Sequence, residues 1–214
     1  MILRPHLRIA VAGFGPFPGV PKNPSAEIVR AIAKQPRFRA ADIALDAAIL
    51  PTAYGAAEAQ LEQLIARKPN AIVLFGVAKN AKHIRVETLA RNRASVLHPD
   101  QARFTPAVAK LAPEGAARLK VRGPGTRIRS AIRQSGAKAE LSINAGSYLC
   151  NAVFYRALAA TAGHRPPPLT FFVHVPPADA NTFTMRKLVR AGEAAGRAAA
   201  SEARKVRLVS RRDG

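Results

Sequence analysis

Three side chains of this sequence could combine a nucleophile, a proton acceptor and an orienting carboxylate: Cys150, His174 and Glu87. A free thiol has a pKa of about 8.5 and is mostly protonated at neutral pH, so a histidine within hydrogen-bond reach is needed to accept its proton. A carboxylate bonded to that histidine fixes its tautomer and stabilises the imidazolium. Each residue also has a structural interpretation: a small buried cysteine, a hydrogen-bonded histidine and a glutamate paired with a surface cation.

The surroundings of Cys150 favour an anion. It is the only cysteine of the chain, and it stands between the end of a predicted strand, 139–143, and a predicted helix, 152–162. Gly146 supplies the permissive backbone that a sharp strand-to-helix turn needs. Cys150 is therefore expected at or just before the first turn of the helix, where unpaired N–H groups and the helix dipole stabilise a thiolate.

His174 and Glu87 both lie in segments that predict extended structure. Residues 169–175 are apolar and rich in β-formers, and Pro176 stops the run. Ligands of open α/β sheets bind at the carboxyl ends of strands, so His174 is either a structural residue there or a catalytic base. Apolar residues alternate over 84–90, which favours a strand or an extended arm around Glu87.

Strands and helices alternate along the chain. Residues 7–13, 42–50 and 71–75 are apolar runs of strand length, and the last is typical of a strand buried on both faces. Residues 54–68 show helical spacing of apolar side chains. This order predicts an α/β fold: a single-domain, three-layer α/β/α arrangement with a mostly parallel, twisted mixed sheet flanked by helices.

Capping residues predict where the other helices begin. Ser25 is the expected N-cap of the first helix. Thr126 is expected to cap a helix that runs to about Gln134, and Asn181 a long helix that runs to about Ala200. One domain is expected over residues 1–203, followed by a basic, frayed tail over 204–214.

The loop after the first strand carries two phenylalanines, Phe14 and Phe17, among three prolines and two glycines. This composition excludes a helix or a central strand. The glycine spacing is not that of a dinucleotide-binding loop, and Pro16 and Pro18 remove backbone donors that a phosphate would need. Two interpretations remain open: the rings hold the loop to the core, or they form an apolar clamp for a small ligand.

The chain carries a formal charge of +21, from 34 Lys and Arg against 13 Asp and Glu. Such a charge attracts polyanions. The basic residues are scattered, however, and the aromatic residues, 6% of the chain, are not interleaved with them for base stacking. A solvated basic surface is therefore favoured over nucleic-acid binding.

The sequence also bears on location. No apolar run approaches the roughly 18 residues of a membrane span, and residues 1–6 do not begin a continuous apolar signal-peptide core. A single cysteine excludes an intrachain disulfide and suits a reducing compartment, so a cytoplasmic location is expected.

Short motifs follow one another over nearly the whole chain. The sequence contains Gly13-Phe14-x-Pro16-Phe17, Asn23-Pro24-Ser25, Leu50-Pro51, Gly76, Ile84-x-x-Glu87-x-x-Ala90-x-Asn92, Pro99-Asp100, Ser142-x-x-Ala145-Gly146-x-Tyr148-Leu149-Cys150-Asn151-x-x-x-Tyr155 and Phe172-x-His174-x-Pro176. In order and spacing these motifs resemble the pyroglutamyl peptidases (pyrrolidone-carboxylate peptidases), a family of cytosolic cysteine exopeptidases. The Ala-Gly-x-Tyr-Leu-Cys-Asn element is the most specific of them.

The resemblance implies a role for each candidate residue. Cys150 would be the nucleophile, with its backbone N–H in the oxyanion hole; His174 would be the general base and acid, and Glu87 the orienting carboxylate. The substrate would be a peptide with an N-terminal pyroglutamate, whose lactam is sandwiched by Phe14 and Phe17. Asn23 and Gly76 complete the implied substrate-binding residues. No metal and no cofactor are expected. A homo-oligomer, either a dimer or a tetramer, is also implied.

The chain departs from the family pattern at several positions. The most consequential is Leu97, which stands where family members carry an arginine associated with the oxyanion site; Arg91 or Arg93 could replace it. Thr88 follows Glu87 where a basic residue is common, and Asn80-Ala81 replaces a Gly-Arg pair. These departures leave one alternative open, in which the same triad acts weakly or on another small N-blocked or amide substrate. The high charge leaves a second, a basic nucleic-acid-associated protein with a structural cysteine.

Overall fold

The fold is built on a six-stranded sheet. A computed structural model describes residues 7–17, 19–36, 38, 42–179 and 181–210. Within these ranges the strands are β1 (Leu7–Phe14), β2 (Ile43–Leu50), β3 (Ala71–Val77), β4 (Ile84–Glu87), β5 (Leu89–Arg91), β6 (Arg118–Lys120), β7 (Ala139–Ser142) and β8 (Leu169–Val175). The helices are α1 (Pro24–Ala33), α2 (Tyr54–Ala66), α3 (Gly125–Gln134), α4 (Leu149–Ala160) and α5 (Met185–Ser210).

The main sheet is mixed. Its strand order is β2-β1-β3-β8-β4-β7. Neighbouring strands run parallel except at β8 and β4, which are antiparallel. The segment predicted as one extended element over 84–90 is two strands, because β5 leaves the main sheet and pairs with β6 in a separate two-stranded sheet. The predicted α/β fold with a mostly parallel sheet is confirmed.

Helices cover both faces of the sheet. One apolar cluster joins it to α1, α3 and α5, and the other joins it to α2 and α4. In β1, Ile9 and Val11 belong to the first cluster, and Ala10 and Ala12 to the second. Every residue of β3 and β8 is buried, which explains why these two strands are continuous apolar runs rather than alternating ones.

Helix α1 begins two residues earlier than predicted. Its N-cap is Asn23, whose side-chain oxygen accepts a hydrogen bond from the Ser25 N–H, and Pro24 is the first helical residue. Proline suits that position because its missing N–H would be unpaired there in any case. Ser25 is inside the helix, so its prediction as the N-cap is wrong.

Two further helix starts differ from the predictions. Helix α3 begins at Gly125 with Pro124 as its N-cap and no side-chain capping bond, so Thr126 is not the cap. Helix α4 begins at Leu149 rather than near Ala152, which places Cys150 in its first turn, as predicted.

Helix α5 starts later and ends later than predicted. It begins at Met185, and Thr184 Oγ1 accepts a hydrogen bond from the Lys187 N–H at its start, so Asn181 does not cap it. It continues as far as Ser210, so most of the predicted tail is helical. Residues 1–6 and 211–214 lie outside the described residues. Neither α5 nor another helix of the described ranges has an apolar stretch long enough to cross a membrane.

Candidate active site

Glu87 and His174 form a buried pair between two adjacent strands. His174 Nδ1 lies 2.8 Å from Glu87 Oε1, and the exposed fractions are 5% for His174 and 0% for Glu87. The sheet register brings them together: Arg85 is opposite His174 and Glu87 is opposite Phe172, so Glu87 and His174 are diagonal neighbours on one face. Because Nδ1 is bonded to the carboxylate, Nε2 is the ring nitrogen left to face a third group.

Cys150 provides that third group. A Cβ atom on Gly76, the register partner of His174, would lie 2.9 Å from the sulfur of Cys150, which is one of the groups that raise the pKa of His174. The turn before α4 uses Gly146 at φ +84, a conformation that glycine adopts without strain. Cys150 is partly exposed, whereas His174 and Glu87 are buried.

The surroundings of His174 stabilise its charged form. Burial disfavours the imidazolium, but the hydrogen bonds and charges of Cys150 and Glu87 outweigh burial and raise the pKa of His174 to about 9. The imidazolium therefore predominates at neutral pH. Glu87 Oε2 is buried and has no hydrogen-bond partner among the described residues, so the interaction of this carboxylate with His174 is its main polar contact there.

The N-terminus of α4 offers free backbone donors beside the sulfur. Tyr148, the N-cap, is extended and makes no side-chain capping bond. The first helical N–H group with a recorded partner is that of Ala152, bonded to the Tyr148 carbonyl. The N–H groups of the first turn, including that of Cys150, have no intrahelical partner. They can therefore donate to an oxyanion that forms next to Sγ.

Gly76 leaves space for the sulfur. It is the register partner of His174 in the β3–β8 ladder. A Cβ atom built at this position would lie 2.9 Å from Cys150 Sγ and 2.9 Å from Phe172 Cζ. Gly76 is thus in contact with the candidate nucleophile, although it was predicted from the resemblance only as a substrate-binding residue.

The two phenylalanines of the first loop have different surroundings. Phe14 is 3% exposed and its ring packs at 6.5 Å from that of Phe172, which in turn lies 4.8 Å from the His174 ring. Phe17 is partly buried, with the Lys79 ammonium 5.1 Å above its ring. Phe14 therefore belongs to the aromatic core behind the site, and Phe17 has the more accessible ring.

Asn23 holds this loop in place. Its Nδ2 donates to the Gly15 carbonyl at 2.9 Å, and its Oδ1 accepts from the Ser25 hydroxyl at 2.8 Å. The residue is 4% exposed. The polar atoms of Asn23 are used within the protein, so its position supports a role in shaping the loop rather than the direct substrate contact that was predicted.

Leu97, the main departure from the family motifs, is on the surface, with 80% of its area exposed. Arg91 and Arg93 contact α4 through their backbones: Asn151 Oδ1 accepts from the Arg91 N–H, and Asn151 Nδ2 donates to both carbonyls. Asn151 is fully buried and fixes β5 against the first turn of α4. The motif around Cys150 contained this residue, but only the structure shows its partners.

Two tyrosines next to the site were also missed. Tyr148 donates its hydroxyl hydrogen to the Pro99 carbonyl, and its ring meets that of Tyr54 edge to face at 5.9 Å. Burial, followed by smaller effects that include the charge of Cys150, raises the pKa of both, to about 12 for Tyr54. The sequence signal was available for Tyr148, which lies inside the most specific motif, but not for Tyr54.

A thiol in the first turn of a helix, beside a histidine that is bonded to a buried carboxylate, is characteristic of one class of proteins, the cysteine hydrolases. Within the described ranges, no three His, Cys, Asp or Glu side chains are grouped so that they could hold a metal ion. Residues 7–202 match the family model for pyroglutamyl peptidase. The chain belongs to this family and is a cysteine peptidase of the pyroglutamyl-peptidase I type, which confirms the resemblance seen in its motifs.

Individual relatives agree with the family match. A pyrrolidone-carboxylate peptidase of Pseudomonas fluorescens is 34% identical over 172 residues, covering 78% of each chain. One of Chromobacterium violaceum is 32% identical over 169 residues, covering 78% of this chain and 77% of that protein. The crystal structure of pyroglutamyl peptidase I from Bacillus amyloliquefaciens superposes with a TM-score of 0.82 at 25% identity, over 92% of this chain and 98% of that one.

Proposed function

We propose that this chain removes N-terminal pyroglutamate from peptides through an acyl-thioester on Cys150, with His174 as general base and acid and Glu87 as its orienting partner. The observation that supports this most directly is the buried 2.8 Å bond between His174 Nδ1 and Glu87 Oε1, with the Cys150 sulfur packed against Gly76, the register partner of His174. Three residues far apart in sequence would not meet in this order by their local preferences alone.

The reaction runs in two halves. Cys150 Sγ attacks the carbonyl carbon of the pyroglutamyl residue while its proton rests on His174, and a tetrahedral oxyanion forms. The C–N bond then breaks, and His174 gives its proton to the departing amine, which leaves a thioester. A water molecule next attacks the thioester as His174 accepts a proton from it; the C–S bond breaks and free pyroglutamate leaves.

The backbone N–H of Cys150 would stabilise the oxyanion. One such donor is worth about 3 kcal/mol of transition-state stabilisation. The side chain of Leu97 has no hydrogen-bond donor, and the residue is 80% exposed. This observation favours the alternative in which the same triad acts weakly or on another small N-blocked or amide substrate.

The lactam would be bound at the carboxyl edge of β1 and β3. Phe17 offers a partly exposed ring, and Phe14 supports the site from the core through Phe172. A pyroglutamyl residue has no ammonium group, so ring contacts and lactam hydrogen bonds must provide recognition. Gly76 leaves this edge free of a side chain, and Asn23 fixes the loop that carries both phenylalanines.

The test compares release of a fluorogenic amine from a pyroglutamyl amide and from the matching prolyl amide. We expect release from the pyroglutamyl amide only, and its loss in Cys150→Ala and His174→Ala. Equal rates in wild type and Cys150→Ala would refute the proposed mechanism. Release from a different N-blocked amide, again lost in Cys150→Ala, would favour the altered-specificity alternative.

Two further expectations from the resemblance stay predictions: a cytoplasmic location and assembly into a dimer or tetramer. Sedimentation velocity of the purified full chain would measure the second. Salt-sensitive retention on DNA, without thiol-dependent hydrolysis, would instead support the nucleic-acid-associated alternative.

A further inference from the structure

A pocket of about 300 Å³ lies beside the candidate active site, outside the residues assigned to it so far. It is lined by the first turn of α2, by one side of α4 from Leu149 to Arg156 and by residues of the segment 94–111. Its lining includes Leu149, the residue directly before Cys150, and Tyr54, whose ring packs edge to face on that of Tyr148. The pocket therefore reaches the residue that precedes the candidate nucleophile.

The end of the pocket near Cys150 is aromatic. Tyr54 and Phe104 meet edge to face with ring centroids 6.2 Å apart, and Tyr148 packs against the other side of Tyr54. Phe104 is held on an exposed segment with 55% of its surface open to solvent. When a ligand covers a large exposed apolar side chain, apolar surface is removed from water, and this contributes favourably to the free energy of binding.

The opposite end of the pocket is positively charged. Arg156 Nε pairs with Glu58 Oε1 at 3.0 Å, and Arg156 also donates to the Leu111 carbonyl. Lys110 lines the same end; its ammonium donates to the Pro113 carbonyl at 3.0 Å and has further N–H groups to offer. Arg156 and Lys110 together carry two positive charges and Glu58 one negative charge, so this part of the pocket has a net positive charge that attracts an anionic group.

The length of the pocket corresponds to a short stretch of extended peptide. Arg156 follows Cys150 by six positions of α4, which is about 9 Å along the helix axis. An extended chain covers about 3.3–3.6 Å per residue, so this distance spans two to three residues.

We propose that this pocket binds the peptide that follows the pyroglutamyl residue, and that it favours an aromatic first residue and a carboxylate about two residues beyond the cleaved bond. The aromatic side chain packs on Phe104 and Tyr54, and the carboxylate meets Lys110 and Arg156. The carboxylate is either the end of the chain or an acidic side chain. This inference rests on the proposed function, because it assigns the leaving-group side of the same site.

The experiment measures kcat/KM for pyroglutamyl-Phe-Ala and pyroglutamyl-Ala-Ala, each as free acid and as amide. We expect wild type to prefer Phe over Ala by about fivefold and acid over amide by about threefold. Pyroglutamyl-Phe-Glu amide distinguishes the two carboxylate sources, because it recovers the acid preference only if an acidic side chain is accepted. Equal kcat/KM for all of these substrates in wild type would overturn the proposal.

Single variants assign each preference to its residue. Phe104→Ala is expected to remove the preference for Phe, and Lys110→Met the preference for the acid, while both leave kcat/KM for pyroglutamyl-Ala-Ala amide unchanged. Lys34→Met is the matched control, since Lys34 is an exposed lysine at the end of α1 on the other face of the sheet. If Lys34→Met reduces the acid preference as much as Lys110→Met, general electrostatic attraction explains it and the pocket does not.

A binding measurement separates this proposal from the proposed function. The Cys150→Ala variant is titrated calorimetrically with the same four peptides. Tighter binding of pyroglutamyl-Phe-Ala acid than of the others supports the pocket even if wild type cleaves none of them, which would refute the catalytic proposal only. Equal affinities refute the pocket whatever the turnover.

Discussion

Gly76 and His174 are paired in the β3–β8 ladder, and the Cys150 sulfur occupies the space that a side chain on Gly76 would fill. The position of the sulfur beside the imidazole therefore requires that the residue at position 76 has no Cβ atom. The active-site geometry depends on a residue that supplies no functional group.

Gly76→Ala tests this dependence. The added methyl group would lie 2.9 Å from both Sγ and the Phe172 ring, so the sulfur, the ring or both must shift from their positions beside His174. We expect kcat/KM for a pyroglutamyl amide to fall by about 100-fold and the free energy of unfolding to fall by about 1–3 kcal/mol. Gly163→Ala, with no atom within 4 Å of its new Cβ, is the control; a Gly76→Ala enzyme as active as this control would contradict the argument.

Glu87→Gln should change the pH dependence of the reaction. The amide oxygen can still accept from the Nδ1–H of His174, but its charge no longer stabilises the imidazolium, so the pKa of His174 falls below its value of about 9. Activity that requires a protonated His174 is lost as the pH rises through this pKa. We expect the alkaline limb of the kcat/KM profile to move to lower pH, with a loss of about 100-fold at neutral pH.

Glu87→Ala serves as the comparison, because it removes both the charge and the hydrogen-bond acceptor. It should lose more activity than Glu87→Gln at every pH. An alkaline limb at the same pH in wild type and Glu87→Gln would show that Glu87 does not set the protonation of His174.

Two substitutions of Asn23 separate its two hydrogen bonds. Asn23→Ala removes the N-cap and should lower the free energy of unfolding by about 0.5–2 kcal/mol. Asn23→Asp keeps an acceptor for the Ser25 N–H but cannot donate to the Gly15 carbonyl. We expect Asn23→Asp to keep the cap but to place a carboxylate oxygen against the Gly15 carbonyl, which displaces the loop and raises KM for the pyroglutamyl amide, measured beside chemical denaturation. A normal KM in both variants would remove Asn23 from substrate binding altogether.

Leu97→Arg tests the departure from the family motif. Leu97 is 80% exposed, so the change should alter the free energy of unfolding by less than about 0.5 kcal/mol. If an arginine here reaches the oxyanion, kcat should rise by about tenfold or more. Leu97→Gln is the neutral control. No gain in kcat over this control would show that the first turn of α4 supplies the oxyanion donors without help from this position.

The local geometry of the site was predictable, and its long-range contacts were not. Gly146 and the motif that follows it placed Cys150 in the first turn of a helix from sequence alone. The pairing of Glu87 with His174 depends on β4 lying antiparallel beside β8, and no residue near Glu87 encodes that neighbour. An alternating apolar pattern predicts that a strand exists, but not its position in the sheet.

The errors at helix ends have local causes. At α1, Asn23 was available as a cap, and Pro24 directly after it marks the first helical position. At α5, the arginines and lysines after residue 203 favour the prediction of a tail, which is wrong as far as Ser210. These residues are good helix formers, however, and Ala199 and Ala203 on the same helix are buried against the core. A basic segment is helical when one of its faces is apolar.

The position of β8 in the sheet determines when the candidate active site can form during synthesis. This strand follows every other strand of the described chain in sequence, yet it lies between β3 and β4 and carries His174. During synthesis on the ribosome, Cys150 and Glu87 emerge first and cannot be joined until the last strand enters the centre of the sheet. Under the proposed mechanism, proteolytic activity begins only when the sheet is complete, and a product truncated before β8 lacks the proposed base, His174.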